Sequence, residues 1–399
     1  MSKAWTKRPL GTCAKFLSGG TPSKSNPDFW SGDIPWVSSG EMTQEHIYDT
    51  DLHITEEAAR RGSRMVPANT VLVVVRGMSL ANEFRISITQ RRMAFNQDVK
   101  ALQCEHDILP TFLFYALRAK RHSIRECATE ASHGTKKLEM SVLEEFVLDI
   151  PDEITQHRIA DILSAYDDLI ENNRRRMALL EKAARMIYRE WFVRLRFPGH
   201  ETARIVDGVP EGWEKVKVGN IIAKISKKPR IPKDEYLNEG LYPCIDQSEQ
   251  FIGGFTDCSG AVHDQPLPII VFGDHTRRLK FVSFPFASGA DGTQLIYPGR
   301  DDISPAYLYF SLMESNISNY FYARHFKFLK DQNIIIPNIN NMLAFTDIAM
   351  DITLQINNLR WANHKLQKAR DILLTKLMSG EIEVSEKVDI VEKELVAVQ

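Results

Sequence analysis

Two stretches of the chain carry apolar positions at alternating spacings of four and three. From Glu153 to Phe192 there is neither Pro nor Gly, and the stripe Tyr166, Ile170, Asn173, Met177, Leu180, Ala184, Ile187, Trp191 runs through it. A second stripe, Ile352, Ile356, Leu359, Asn363, Leu366, Arg370, Leu373, Leu377, repeats the same spacings. This is the seam pattern of one helix packed on another. Two amphipathic helices lying on separate domains would give similar stripes, but two narrow stripes of equal period can bury each other. Each seam holds one Asn, Asn173 and Asn363, at non-equivalent positions; a polar seam residue fixes register at some cost in stability. A helix of about 40 residues is about 60 Å long at 1.5 Å per residue, longer than a small domain is wide, which suits a spacer.

The regions before these helices, 1–150 and 205–336, read differently. Short apolar runs such as VLVVV at 71–75 and LPIIVFGD at 267–274 alternate with Gly, Pro, Ser and Asp, as in GGTPSKSNPDFWSGDIPW at 19–36. That predicts strands and turns. Asp107–Leu117 and Asp302–Leu312 read as short helices, the second capped by Asp302 or Ser304 with Pro305 in its first turn.

The two halves repeat each other. Trp5–Gly11 matches Trp213–Gly219 at an offset of 208, Asp107–Leu117 matches Asp302–Leu312 at 195, and Ile150-Pro151 matches Ile336-Pro337 at 186. The last offset then holds along the helices, superposing Ile170 on Ile356 and Leu180 on Leu366. The matches keep their order, and the offset changes only inside loop-like stretches. The expected fold is therefore α+β: two mixed α/β domains in internal repeat, with an intervening pair of long helices. The expected segments are 1–150, 151–196 (first helix), 197–336 (linker and second mixed domain), 337–380 (second helix) and 381–399 (tail).

Composition narrows the function. The formal charge is −2, which excludes a generally basic coat but not a local basic surface. The tail holds six of the acidic residues against two lysines, so the remainder is mildly basic. Five cysteines, an odd number without a CxxC pair, and the missing signal peptide suggest free thiols and a cytoplasmic protein. No apolar run approaches the roughly 20 residues of a membrane helix. Motifs for phosphate-binding loops, dinucleotide folds, zinc proteases and serine hydrolases are missing, as is the Asn/Asp-Pro-Pro-aromatic loop of methyl transfer. Cys244, Cys258, His263 and His275 match no standard zinc spacing, so no metal site is expected. The residues point to a binding or assembly protein without catalytic residues of its own.

Basic and polar clusters fall in the expected loops of both copies. In the first they are Arg85, Arg91, Arg92, His133, Lys136 and Lys137, with Thr21, Ser23 and Lys24, Arg76, and Asn96 and Gln97. In the second they are Lys227, Arg230, His275, Thr276, Arg277, Arg278, Lys280, Arg324, His325 and Lys327. Arg and Lys suit phosphate oxygens and guanine edges; Asn and Gln suit adenine edges. At the 195 offset Asn96-Gln97-Asp98 falls opposite Asp291-Gly292-Thr293.

Several strings together resemble the DNA-specificity subunits of Type I restriction–modification systems, almost end to end. They are Leu17–Lys24, Ile34-Pro-Trp36, Ile159–Ser164, Glu181–Phe192, Arg196–Gly199, Gly208–Trp213, Phe272–Arg277, Gly289–Thr293 and Leu374–Gly380. The resemblance implies two target-recognition domains, each reading one half of a bipartite asymmetric site in double-stranded DNA, separated by antiparallel helices acting as a ruler. It implies docking of two modification subunits and, through them, of restriction subunits. S-adenosylmethionine, ATP and Mg would then be used by those partners and not by this chain. A coiled-coil assembly protein, or a stand-alone methyltransferase or nuclease with an unrecognised site, are the competing readings.

Overall fold

The computed structural model describes residues 5–131, 135–289, 292–315 and 325–384. His133, Arg324, Asp291 and most of the acidic tail lie outside them. Contacts divide the chain into two units, one built from residues up to Asn172 together with those from Ala362 onward, the other from Asn173–Trp361. The fold is α+β, and four helices organise it: α1 (Pro110–Ala119), α2 (Glu153–Tyr188), α3 (Pro305–Met313) and α4 (Ile339–Met378). Each long helix gives part of its length to each unit.

In the first unit a five-stranded sheet runs in the order Ala14–Ser18, Val99–Cys104, Val71–Val74, Ile86–Thr89, His46–Ile47. The run VLVV is buried throughout, because α1 and the long helices cover what would otherwise be a solvated face. A smaller sheet sets Ile34–Val37 parallel to Met93–Phe95. Thr6–Pro9 pairs antiparallel with Val147–Ile150, so the region closes on itself just before α2 begins. Leu374 and Leu377 of α4 join Ile159 and Leu163 of α2 in the core. The seam continues with Tyr166 and Ile170 against Leu366. These contacts pair the two helices antiparallel within the unit. Asn363 donates from Nδ2 to the Ile170 carbonyl at 3.0 Å, so this seam Asn does fix a register.

The second unit repeats the closing pair and the smaller sheet, while its larger sheet keeps three strands where the first unit has five. Glu214–Lys217 pairs with Asn333–Ile336, and the equivalent pairs Thr6↔Ile150 and Glu214↔Ile336 reproduce the offsets of 208 and 186. Tyr242–Ile245 lies parallel to Phe286–Ser288, and Ile269–Gly273 sits between Leu279–Val282 and Thr293–Ile296. Ser304 caps α3 by accepting from the Ala306 and Tyr307 amides, with Pro305 at the first helical position. The helices here meet through aromatic rings: Tyr188 and Phe192 pack against Tyr307 of α3 and Phe345 of α4.

The seam departs from expectation mid-helix. Met177, Leu180 and Leu359 are only half-buried, and among the described residues they join no apolar cluster. There α4 turns its side chains to the mixed domain: Arg360 lies 3.5 Å over the Phe251 ring, Trp361 meets Phe284, and Asn357 donates to Ser283. One alignment also shifts. Backbone bonds place Asp98 (to Val75) opposite Gly292 (to Asp274), an offset of 194, because the loop after Ser288 is one residue longer than that after Phe95. Among the described residues no helix is long and apolar enough to cross a membrane.

Candidate nucleic-acid interface

Each unit gathers part of its candidate residues at the corresponding end of its sheet. In the first, the chain leaves the sheet at Ser18 and Val74 and enters it at Ile86 and Val99. The loops at that end are held close. A Cβ on Gly19 would lie 2.2 Å from the Phe95 carbonyl, so only glycine lets loop 19–24 approach. Trp36 Nε1 donates to the Gly20 carbonyl at 3.0 Å, and Thr21 Oγ1 donates to Gln97 Oε1 at 2.7 Å. Lys136 and Lys137 pair as a short strand with Gly77 and Arg76. The end therefore presents Thr21, Ser23, Lys24, Arg76 and Gln97 exposed, with Lys136 and Lys137 half-exposed beside them.

Four candidates in this unit sit otherwise. Arg91 and Arg92 lie in the turn at the opposite end of strand Ile86–Thr89. Arg92 is tied to Glu56 at 2.5 Å, and Arg91 reaches the Asp33 carbonyl at 3.4 Å. Arg85 is half-buried and clamps the Ser39 and Gly40 carbonyls, each at 3.2 Å. Asn96 is buried; its Oδ1 accepts the Asp98 amide and shapes the turn instead of facing outward.

In the second unit, Gly273, Leu279 and Thr293 mark the equivalent end. The turn between the first two strands exposes His275, Thr276, Arg277 and Arg278. Arg277 takes a left-handed conformation (φ 60°), and its amide donates back to the Gly273 carbonyl. Gln247 braces the turn, accepting the His275 amide at Oε1 and the Thr276 hydroxyl at its carbonyl. Gly292 (φ +65°) closes it; a Cβ there would sit 2.7 Å from the His275 ring. Exposed Lys327 follows Phe326, whose amide donates to Asp274 Oδ1 at 2.8 Å. Exposed Arg230 precedes Ile231, whose amide bonds the Ser288 carbonyl as Gly20 bonds that of Phe95. Lys227 is exposed nearby in sequence.

Lys280 and His325 are corrected from surface candidates to interior residues. The Lys280 ammonium, 6% exposed, points inward to the Gln250 and Phe251 carbonyls and lies 3.6 Å from Asp246. Burial pushes its pKa down to about 8 against the opposing pull of Asp246. His325 is buried where its amide meets the Asp274 carbonyl. Gln247 is absent from the sequence-based candidates. The 208 offset, which places it opposite Ser39 in the loop after the equivalent strand, is the signal that could have found it.

Guanidinium, ammonium, amide and hydroxyl groups on loops over a rigid sheet end can grip phosphates and read base edges. Among the described residues no group of three or more His, Cys, Asp or Glu is placed to hold a metal.

Comparison with known proteins gives the chain clear relatives. Residues 2–182 match the family model of the Type I restriction modification DNA specificity domain. The chain is 25% identical to the Type I restriction enzyme MjaIX specificity subunit of Methanocaldococcus jannaschii, over 96% of this chain and 95% of that one. It is 30% identical to the EcoR124I/EcoR124II specificity subunit of Escherichia coli over 41% of each chain. The crystal structure of the Type I system S subunit from M. genitalium has the same fold, with a TM-score of 0.55 at 15% identity, covering 96% of this chain and 97% of the other. Residues 2–182 thus carry the likeness to the DNA specificity domain, and the chain as a whole is similar, nearly end to end, to specificity subunits of Type I restriction–modification systems.

Proposed function

We propose that this subunit reads a bipartite, asymmetric site in double-stranded DNA, one half with each unit. Loops 19–24, 76–78, 96–98 and 136–137 would read one half. Loop 274–278, with Arg230, Gln247 and Lys327, would read the other. The observation that carries this reading is the repetition: exposed basic and amide side chains recur at the corresponding sheet end of two units that share a closing strand pair, a four-stranded sheet and a central three-strand core. Two different loop sets imply two different half-sites. The long helices serve as the ruler for the unread spacer and as docking rods for two modification subunits, through which restriction subunits join. S-adenosylmethionine, ATP and Mg belong to those partners, and the complex works in the cytoplasm, on the DNA there.

Footprinting of the chain reassembled with its modification subunit tests this. Two protected patches at a fixed separation, with different sequences, are expected. One continuous or symmetric patch would overturn the bipartite reading. Turnover by the chain alone with DNA and labelled S-adenosylmethionine would favour a stand-alone enzyme.

A further inference from the structure

The two units hold their long helices with opposite charges at equivalent positions. In the first unit Arg118 of α1, its side chain 4% exposed, bonds Asp371 of α4 at 2.7 Å and Glu45 at 2.9 Å. Beside it Arg370 pairs with the buried carboxylate of Asp167, and with Glu45 at 3.0 Å. In the second unit Glu314, at the end of α3, takes Arg185 of α2 at 2.6 Å and Arg189 at 2.9 Å. The 186 offset makes Arg185 the counterpart of Asp371 and Ala184 that of Arg370. The 195 offset sets Glu314 one residue from the counterpart of Arg118. The short helix is thus basic and its long-helix partner acidic in one unit, and the reverse holds in the other.

An internal repeat raises the question of why like does not pair with like. Two copies of this chain share two equivalent long helices, and α2 of one copy could in principle take the place of α4 in the other. We infer that the swapped ion pairs are two pairing surfaces with opposite requirements: α1 accepts only an acidic helix and α3 only a basic one, so neither long helix can stand in for the other. If α2 stood where α4 stands, Arg118 would face Arg185, and buried Asp167 would face Ala184. If α4 stood where α2 stands, Glu314 would face Asp371. Both wrong pairings juxtapose like charges; the first does so against the buried Arg118 guanidinium and strands the buried Asp167 carboxylate, whereas the second falls at a half-exposed site where solvent softens the repulsion.

The test uses full-length chains carrying two different affinity tags, co-expressed, with co-purification and light scattering as readouts. Wild type is expected as a monomer whose tags do not co-purify. R185D gives α2 the acid that Arg118 seeks while repelling its own Glu314; because Asp167 would still face Ala184, co-purification should rise only severalfold. R185A breaks the same native pair without supplying an acid, and should stay monomeric. D371R and D371A form the reciprocal set, because the guanidinium introduced by D371R would suit Glu314 of a second copy. Equal behaviour of the Asp or Arg variant and its Ala control would overturn the inference, as would a wild-type dimer carrying both tags. If R185D yields only aggregate, the D371R and D371A pair decides by the same readout. DNA binding plays no part in the measurement, so failure of the functional reading would not mimic failure here.

Discussion

Asp167 shows how one side chain can be both expensive and indispensable. Burial alone would push its carboxyl upward. Hydrogen bonds from His46 and Tyr115, together with the Arg370 guanidinium, outweigh that and hold it well below the usual carboxylate range. A depressed carboxyl stabilises the fold above its unfolded pKa of about 4, and that contribution is lost as pH falls through the folded value. Asp167→Asn leaves Arg370 short of a partner and should cost about 3–5 kcal/mol at pH 7. Calorimetry should show the gap to wild type narrowing steadily below about pH 4. Lys280 behaves in the opposite sense. Its pKa of about 8 lies below the unfolded value of about 10.4, so the unfolded chain binds more protons in between. Wild-type stability should therefore rise from about pH 8 to 10 relative to Lys280→Met; parallel denaturation curves over that range would contradict it. At the proposed DNA face, Arg277→Ala should weaken specific binding by about 1–3 kcal/mol and relax discrimination at one position. Lys136→Ala should instead weaken all sequences alike and lower the salt slope by about 1; titrations at several salt concentrations separate the two.

At the scale of elements, what the sequence announced and what it hid follow from how local the signal is. The long helices were legible because a stripe such as Tyr166–Ile170 needs only periodicity, and Ser304-Pro305 marks a helix start by chemistry within two residues. The offsets of 208 and 186 were legible because strand register is set by the pairs they join. The helix interior between Met177 and Leu180 was not. Its apolar positions keep the period, but Arg360 and Trp361 of α4 follow contacts with Phe251 and Phe284, more than 70 residues away in the chain. The candidate surface was half legible for the same reason. Charge marks Arg92 and Lys280 as surface residues, yet one is neutralised by Glu56 and the other solvates two buried carbonyls. Only tertiary structure reveals that a cation already has a partner. Gln247 was hidden because a neutral amide stands out only once the loop it braces is known.

For the molecule as a whole, the ruler reading makes a metric prediction. Seven residues inserted at matching points of α2 and α4 keep the seam in phase and lengthen both helices by about 10 Å, near three base pairs of DNA at 3.4 Å each. The reassembled complex should then prefer sites whose two halves are about three base pairs further apart; methylation of a library with varied spacers would read this directly. The same insertion in one helix alone breaks the seam and should abolish assembly. A retained preference for the original spacing after the matched insertion would exclude the ruler.

The closing strand pairs carry a consequence for how such proteins change. Thr6 stands opposite Ile150, and Glu214 opposite Ile336, so each loop-bearing region enters and exits through one antiparallel doorway. Whatever lies between the two ends of that doorway can be cut out and replaced by a foreign cassette of different length, provided its own first and last strands zip together. If the loops between them read DNA as proposed, genetic recombination at these two seams would hand the host a new address on its chromosome in a single event, with any machinery that acts there left untouched.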